Sequence, residues 1–393
     1  MQVNGGEASG EPLASEEAAK GGDAAAAPPA AAATAAGQAN PKSRSVAEVV
    51  VEGSWVCPYI ASAKKPPPRY EHAVALVGNR MIVAGGNYGG RYLNDAWALN
   101  LEDLTWAQLS GPRANAGALP PLAGHASVAW GGQVLVVGGH TKAKDAVPEL
   151  PVRALDPSTG AWTAFETHAG EGDAVPKPRG GHSVRVHANA AAAGHRRRIW
   201  HSWQGPACLL VLAPHAGAEM PTAALSLAHA RPSLLQATLI GDRVYVFGGE
   251  DVLRRPMGQL LVLDLPSRTW SYPEFSGPAP SPRSAHTAAV YQGRYLLVFG
   301  GGSVAHCFND LYVLDTQSMA WSRPAVEGLV PPPRAGHAGA VLGHTWYMVG
   351  GGNNASGCAD MYRRALARGW GVKGSVSQGE FAPGPPFCPG TLP

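Results

Sequence analysis

Charged side chains are scarce in this 393-residue chain. Asp, Glu, Lys and Arg make up 15% of it, and 31 basic residues against 28 acidic ones leave a formal charge of +3. That balance provides no electrostatic footprint for nucleic acid, and the single basic cluster, His195 to Arg198, reads as a solvated loop. Five cysteines (Cys57, Cys208, Cys307, Cys358 and Cys388) are odd in number and form no C-x-x-C pair. This argues against a disulfide framework and for a reducing, cytoplasmic compartment. No apolar run approaches the roughly 18 residues that a membrane-spanning helix requires. A Leu-rich segment after a basic start is missing, so no secretory signal is expected. Glu7, Glu11, Glu16, Glu17 and Asp23 argue against an organellar transit peptide.

Glycine and short apolar runs are abundant, and both repeat. Pro66-Pro67-Pro68-Arg69-Tyr70-Glu71-His72 is followed by Gly85-Gly86 and then by Trp106. His125 likewise precedes Gly138-Gly139 and Trp162, His286 precedes Gly300-Gly301 and Trp321, and His337 precedes Gly350-Gly351 and Trp370. From Gly85 to Gly138 is 53 residues, from Gly248 to Gly300 is 52, and from Gly300 to Gly350 is 50. Within one unit the apolar runs Ala73 to Val77, Met81 to Ala84, Ala96 to Leu99 and Trp106 to Leu109 are separated by turn formers such as Gly78-Asn79. Four short runs in under forty residues leave no room for helices and predict an antiparallel meander. A period near fifty matches the kelch repeat, in which each unit is a four-stranded propeller blade.

The fold expected is therefore all-β: a kelch-type β-propeller of about six blades, one of them degenerate. It would occupy residues 46–378, after a disordered Ala/Gly/Pro-rich tail over 1–45 and before a Gly/Pro-rich tail over 379–393. The glycine doublets are read as places where a side chain would obstruct the backbone, and the tryptophans, each opening a fourth strand, as blade-to-blade packing. His72, His125, His182, His286 and His337 belong to different blades and lack close ligand partners. They are expected to be tied to the neighbouring strand rather than to a metal.

Two regions break the pattern. From Gly138 to Gly248 is 110 residues, two periods, with no Gly-Gly pair midway. Lys177 to His182, Arg198 to Trp203 and Cys208 to Leu212 read as a degenerate blade. The alternative is an insertion over about 185–230, because Arg231 to Ile240 also resembles a first strand. Trp55, in turn, stands 17 residues before His72 and so starts a fourth strand without its own first three. Either the chain is short at its C-terminus, or this strand pairs with the blade that ends near Trp370.

Several segments are more specific than the repeat. They include GSWVCPYIASAKKPPPRYEH from Gly53, GGNYGGRYLND from Gly85, FGGEDVLRR from Phe247, and the long run RYLLVFGGGSVAHCFNDLYVLDTQSMAWSRP from Arg294. Together they resemble the kelch half of plant-type acyl-CoA-binding domain-containing proteins, over about 53–360. In that family a separate helical bundle carries acyl-CoA, and no residue of this chain matches one of its ligands. The resemblance thus implies a protein-interaction module. A lipid-linked role through a missing or separately encoded acyl-CoA-binding domain is the alternative it implies.

In each blade the start of the first strand and the end of the second emerge on one face. That collects the blade-start arginines Arg69, Arg283 and Arg334 with the loops after the glycine pairs. The loops carry Tyr88, Arg91, Tyr92, His140, Lys142, Arg254, Arg255, His306, Asn353 and Asn354. Arg, Tyr, His and Asn are residue types that interfaces favour, and the charge would draw an acidic protein partner. The other reading of the blade-start arginines is hydrogen bonding to loop carbonyls of the next blade. No copper-tyrosine set and no E-x-x-x-D-x-x-x-H iron motif is present, so a galactose oxidase-like or other metal-dependent enzyme is the least favoured reading. Neither catalysis nor a cofactor is expected.

Overall fold

A computed structural model describes residues 52–111, 119–141, 151–165, 180–186, 198–202, 209–213, 234, 236–251, 253–267, 269–353 and 355–367. Both expected tails, Trp370, Lys142 and Asn354 lie outside them. Every regular element among the described residues is a strand.

Four sheets are antiparallel meanders in chain order. Blade I comprises Ala73–Val77, Arg80–Ala84, Ala96–Asn100 and Thr105–Ser110, and a small hairpin, Asn87–Tyr88 with Arg91–Tyr92, stands between its second and third strands. The strands of blade II are Ala126–Trp130, Gln133–Val137, Val152–Leu155 and Trp162–Ala164. Gln236–Ile240, Arg243–Phe247, Leu260–Asp264 and Thr269–Ser271 make blade IV. Thr287–Tyr291, Tyr295–Phe299, Leu311–Asp315 and Ala320–Ser322 make blade V. The strand bounds follow the apolar runs because turn residues end each run. Val77 pairs with Arg80 across Gly78-Asn79, and Gly78 takes φ +58°, a value open to glycine at little cost.

Blade VI settles the closure. Ala338–Leu342, Thr345–Val349 and Met361–Ala365 supply three strands, and Ser54–Val56 from the other end of the chain is the fourth. It pairs antiparallel with Met361–Ala365, Trp55 opposite Arg364. The place of this blade's fourth-strand tryptophan, expected for Trp370, is held by Trp55. Beyond it, Glu327–Gly328 adds a short parallel strand, Ser54 opposite Glu327.

The irregular unit forms a three-stranded sheet, blade III, from Ser183–Val186, Arg198–Ser202 and Leu209–Ala213. It departs from the expected meander. Leu209–Ala213 sits in the middle, parallel to Ser183–Val186 and antiparallel to Arg198–Ser202. Eleven residues separate Val186 from Arg198, against the two of Gly78-Asn79 in blade I, and parallel pairing requires a long connection. The first strand of this unit nevertheless lies between those of blades II and IV, which supports a degenerate blade rather than an insertion.

The core lies between blades. Trp106 of blade I packs with Tyr347 and Val349 of blade VI, Trp162 of blade II with Ala84 and Ala98 of blade I, and Trp321 of blade V with Phe247 of blade IV. Trp55 of blade VI packs with Phe299 and Tyr291 of blade V. Each of these fourth-strand tryptophans thus fills the seam with the preceding blade, as large rings between facing sheets should.

A belt of main-chain hydrogen bonds circles the inner mouth. Glu71, Gly124, Gly181, Leu234, Ala285 and Gly336 all have positive φ, between +52° and +70°. Each donates its N–H to the carbonyl of the equivalent residue one blade back: Gly124 to Glu71, Gly181 to Gly124, Leu234 to Gly181, Ala285 to Leu234, Gly336 to Ala285 and Glu71 to Gly336, at 2.7–3.0 Å. Six blade positions, the irregular one included, are needed to close that cycle.

Candidate interaction face

The repeated histidine and glycine pair are explained together at the seams. In blade V, a Cβ on Gly300 would stand 2.9 Å from the His337 ring of blade VI and 3.0 Å from the Arg334 carbonyl. One on Gly301 would stand 2.7 Å from the Cβ of His286 in its own blade. His72, His125, His286 and His337 are each wedged against the second glycine of their own blade and the first glycine of the blade before. His125 Nε2 lies 3.0 Å from the Ala84 carbonyl of blade I, the expected tie to a neighbouring strand. Burial holds His72, His125 and His286 down at about 3, against an ordinary 6.5, with the nearby Arg69 and Arg283 acting in the same direction on His72 and His286. His337 is depressed for the same first reason.

The blade-start arginines belong to this scaffold and not to an exposed face. Arg69, Arg283 and Arg334 are at most 1% exposed. Arg69 donates from Nη1 and Nη2 to both carboxylate oxygens of Asp95 at 2.8 Å and from Nη1 to the Gly85 carbonyl at 2.9 Å. Arg334 binds Asp360 (2.7 and 2.9 Å) and the Gly350 carbonyl (2.9 Å) in the same way. Arg283 binds Asp310 and the Gly300 carbonyl. The side chain therefore staples its own blade, where the sequence suggested carbonyls of the next. Its main chain ties the preceding one: the N–H groups of Gly351 and Gly301 donate to the carbonyls of Arg69 and Arg334. Burial removes these three arginines from the candidate binding set.

The loops after the glycine pairs do share one face with the blade starts. Paired bridges join the two in four blades: Tyr70 with Asn87, Ala123 with His140, Ser284 with Gly302, and Ala335 with Gly352. Tyr88, Arg91, His140, Arg254, Arg255, His306 and Asn353 are exposed there, and Tyr92 is half-buried. Some of them serve the loop itself. Asn353 Oδ1 accepts from the N–H groups of Ala355 and Ser356 at 2.9 and 2.7 Å, and Asp251 does the same for Leu253 and Arg255. Arg255 is further engaged by Asp251 at 2.7 Å. The His306 ring stands edge-on to Phe308, centroids 4.7 Å apart.

Two features of this face were not read from the sequence. Leu253 is 67% exposed and Val304 82% exposed, both on post-glycine loops, beside Arg254 and His306. An apolar residue in a Gly/Ser loop, as in GGGSVAHC, was the available signal. Glu71, in the mouth belt, is the second. Burial pushes its carboxyl up and nearby Glu250 adds to that, while His140 opposes it. The face thus carries basic and apolar loop tips, with Glu71 half-buried in the belt.

The first strands of all six blades line a cavity of about 120 Å³. That is below the roughly 300–1,000 Å³ of small-molecule sites. Among the described residues, no group of three or more His, Cys, Asp or Glu is placed to hold a metal ion.

A ring of four-stranded meanders, sealed by histidine-glycine seams, defines a β-propeller of the kelch type. The family model described as the KLHDC2/KLHL20/DRC7 Kelch-repeats domain matches residues 43–192 and 227–369, skipping much of the irregular unit, and the chain belongs to the kelch-repeat family. It is 35% identical over 336 residues to acyl-CoA-binding domain-containing protein 4 of Arabidopsis thaliana, covering 84% of this chain and 41% of that protein. It is 34% identical over 338 residues to acyl-CoA-binding domain-containing protein 5 of the same plant, with 84% and 43% covered. The chain therefore spans less than half the length of these relatives and corresponds to their kelch half. A shorter stretch is 40% identical over 113 residues to the human Rab9 effector protein with kelch motifs, 28% of this chain and 30% of that one. The solved structure of YjhT shares the fold, with a TM-score of 0.52 at 13% identity over 76% of this chain and 95% of that one.

Proposed function

We propose that this propeller is a non-enzymatic, cytoplasmic interaction module that docks a partner protein through the face bearing the post-glycine loops. One observation carries the reading: Tyr88, Leu253 and Val304 stand exposed on loops that also carry Arg91, Arg254 and His306. The folding of the blades does not require these side chains at the surface. Apolar anchors flanked by cations match an acidic partner segment, in which charge sets encounter and a few buried contacts set residence. The Rab9 effector among the relatives is named for a protein partner, which favours the same class of function. The acyl-CoA function in the plant relatives' names is not carried into this proposal, since the chain spans less than half of their length.

The test is capture of partners by the full chain and by a variant with Arg91→Glu, Lys142→Glu and Arg254→Glu together. Capture is expected to fall at least tenfold, while the melting temperature changes little, because exposed loop charges such as those of Arg91 and Arg254 contribute about 0–1 kcal/mol each to stability. Equal capture by parent and variant would reject the face; an unfolded variant would place these residues in the scaffold.

A further inference from the structure

Four arginines among the described residues are almost fully buried, and they are not treated alike. Arg69, Arg283 and Arg334 each have an aspartate across the blade. Arg364, on the third strand of blade VI, is 2% exposed and has none among the described residues. Its Nε and Nη1 are buried without a hydrogen-bond partner. The guanidinium lies 5.7 Å from the Trp55 ring, on the seam between blades V and VI, among Trp55, Trp346 and Tyr362. Glu327, on the short outer strand, acts on it only through space. At the other end, Nη2 faces Gly53, which has no side chain and takes φ +86°.

A buried guanidinium with two N–H-bearing nitrogens lacking a hydrogen bond and no paired carboxylate is costly, and a chain that supplies aspartates to three others could have supplied a fourth. The fork of N–H donors is shaped for the paired oxygens of a carboxylate or phosphate. We propose that Arg364 is an oxyanion receptor at the ring-closing seam, taking a carboxylate or phosphate group beside Gly53 and thereby fastening Ser54–Val56 onto blade VI. The site is separate from the post-glycine face, so its test is independent of the function proposed above.

The experiment is thermal unfolding of the full chain in rising inorganic phosphate, and separately in rising acetate, with ionic strength held constant by chloride. The wild type is expected to gain melting temperature saturably in at least one series, by roughly 3 °C once the anion exceeds its dissociation constant about tenfold. Which series responds separates a phosphate from a carboxylate ligand. Arg364→Met, which removes the charge and keeps the bulk, should lose that response. A purely structural arginine would give the same anion dependence in both proteins, and that result, or no saturable gain in the wild type, overturns the proposal. Should the variant fail to fold, ¹⁵N-arginine spectra of the wild type decide it: with Arg364 assigned by Arg→Lys exchange, its Nε–H resonance must shift saturably on titration with the responding anion, and an unmoved resonance rejects the site.

Discussion

At the scale of single residues, this propeller places charge inside and neutralises it locally. Asp95, Asp310 and Asp360 immediately precede the third strands of blades I, V and VI, each paired with the arginine at the blade start. Blade II has Leu122 and Pro151 in those positions, so arginine and aspartate are absent together, and Leu122 is buried among apolar neighbours. Removing one partner alone should therefore be severe: Asp310→Ala is expected to cost about 3–5 kcal/mol in urea unfolding. A double replacement that copies blade II, Arg283→Leu with Asp310→Pro, should recover much of that loss. The buried histidines give a second prediction. Their folded-state values are depressed, so the unfolded chain takes up the protons first. Stability is fully present above pH 6.5 and is lost as the pH falls toward about 3. With His72, His125, His286 and His337 acting together, the slope approaches about 5 kcal/mol per pH unit well below 6.5. Urea midpoints measured from pH 7.5 to 4.5 would check it, with a shallower slope expected for His286→Gln.

At the scale of elements, the weakest piece is the three-residue strand Ser54–Val56, which alone among the described blade strands joins its sheet from the far end of the chain. Its anchor is Trp55, whose ring lies 5.0 Å from that of Phe299 and 5.9 Å from that of Trp346. Trp55→Ala should cost about 3–5 kcal/mol, and hydrogen exchange should then show Met361–Ala365 opening ahead of the strands of blades I and V. The strands of blade I were legible in the sequence to within one residue, since alternating apolar runs and glycine turns speak to nearest neighbours in the chain. Blade III was not, because the sequence between Val186 and Arg198 has no Gly-Gly or Asn-Gly pair, so nothing local fixes which strand lies beside Ser183–Val186. The candidate face was half legible. Its loops could be located from the glycine pairs. The role of Arg69, Arg283 and Arg334 could not, because it depends on aspartates 26 or 27 residues away, and composition alone makes a buried arginine look like a surface one.

At the scale of the molecule, a belt of main-chain hydrogen bonds at the mouth gives six unequal blades a common geometry, while side chains fill the seams. The mouth belt runs through three glycines and through Glu71, Leu234 and Ala285 alike, so a blade can diverge in sequence and keep its place if its first strand delivers one peptide group. This is how the irregular unit stays within the ring. The joint between Ser54–Val56 and Met361–Ala365 also has a consequence in time. The strand that seals the last blade leaves the ribosome well before its partner, which is the last blade strand among the described residues to be made. At about 5–20 residues per second, Trp55 waits some 15–60 s before Arg364 is made. Through that interval a nascent chain carries an unmated indole ahead of an incomplete circle, which makes this stretch of synthesis the window in which another nascent copy, or a chaperone, could occupy the vacant edge.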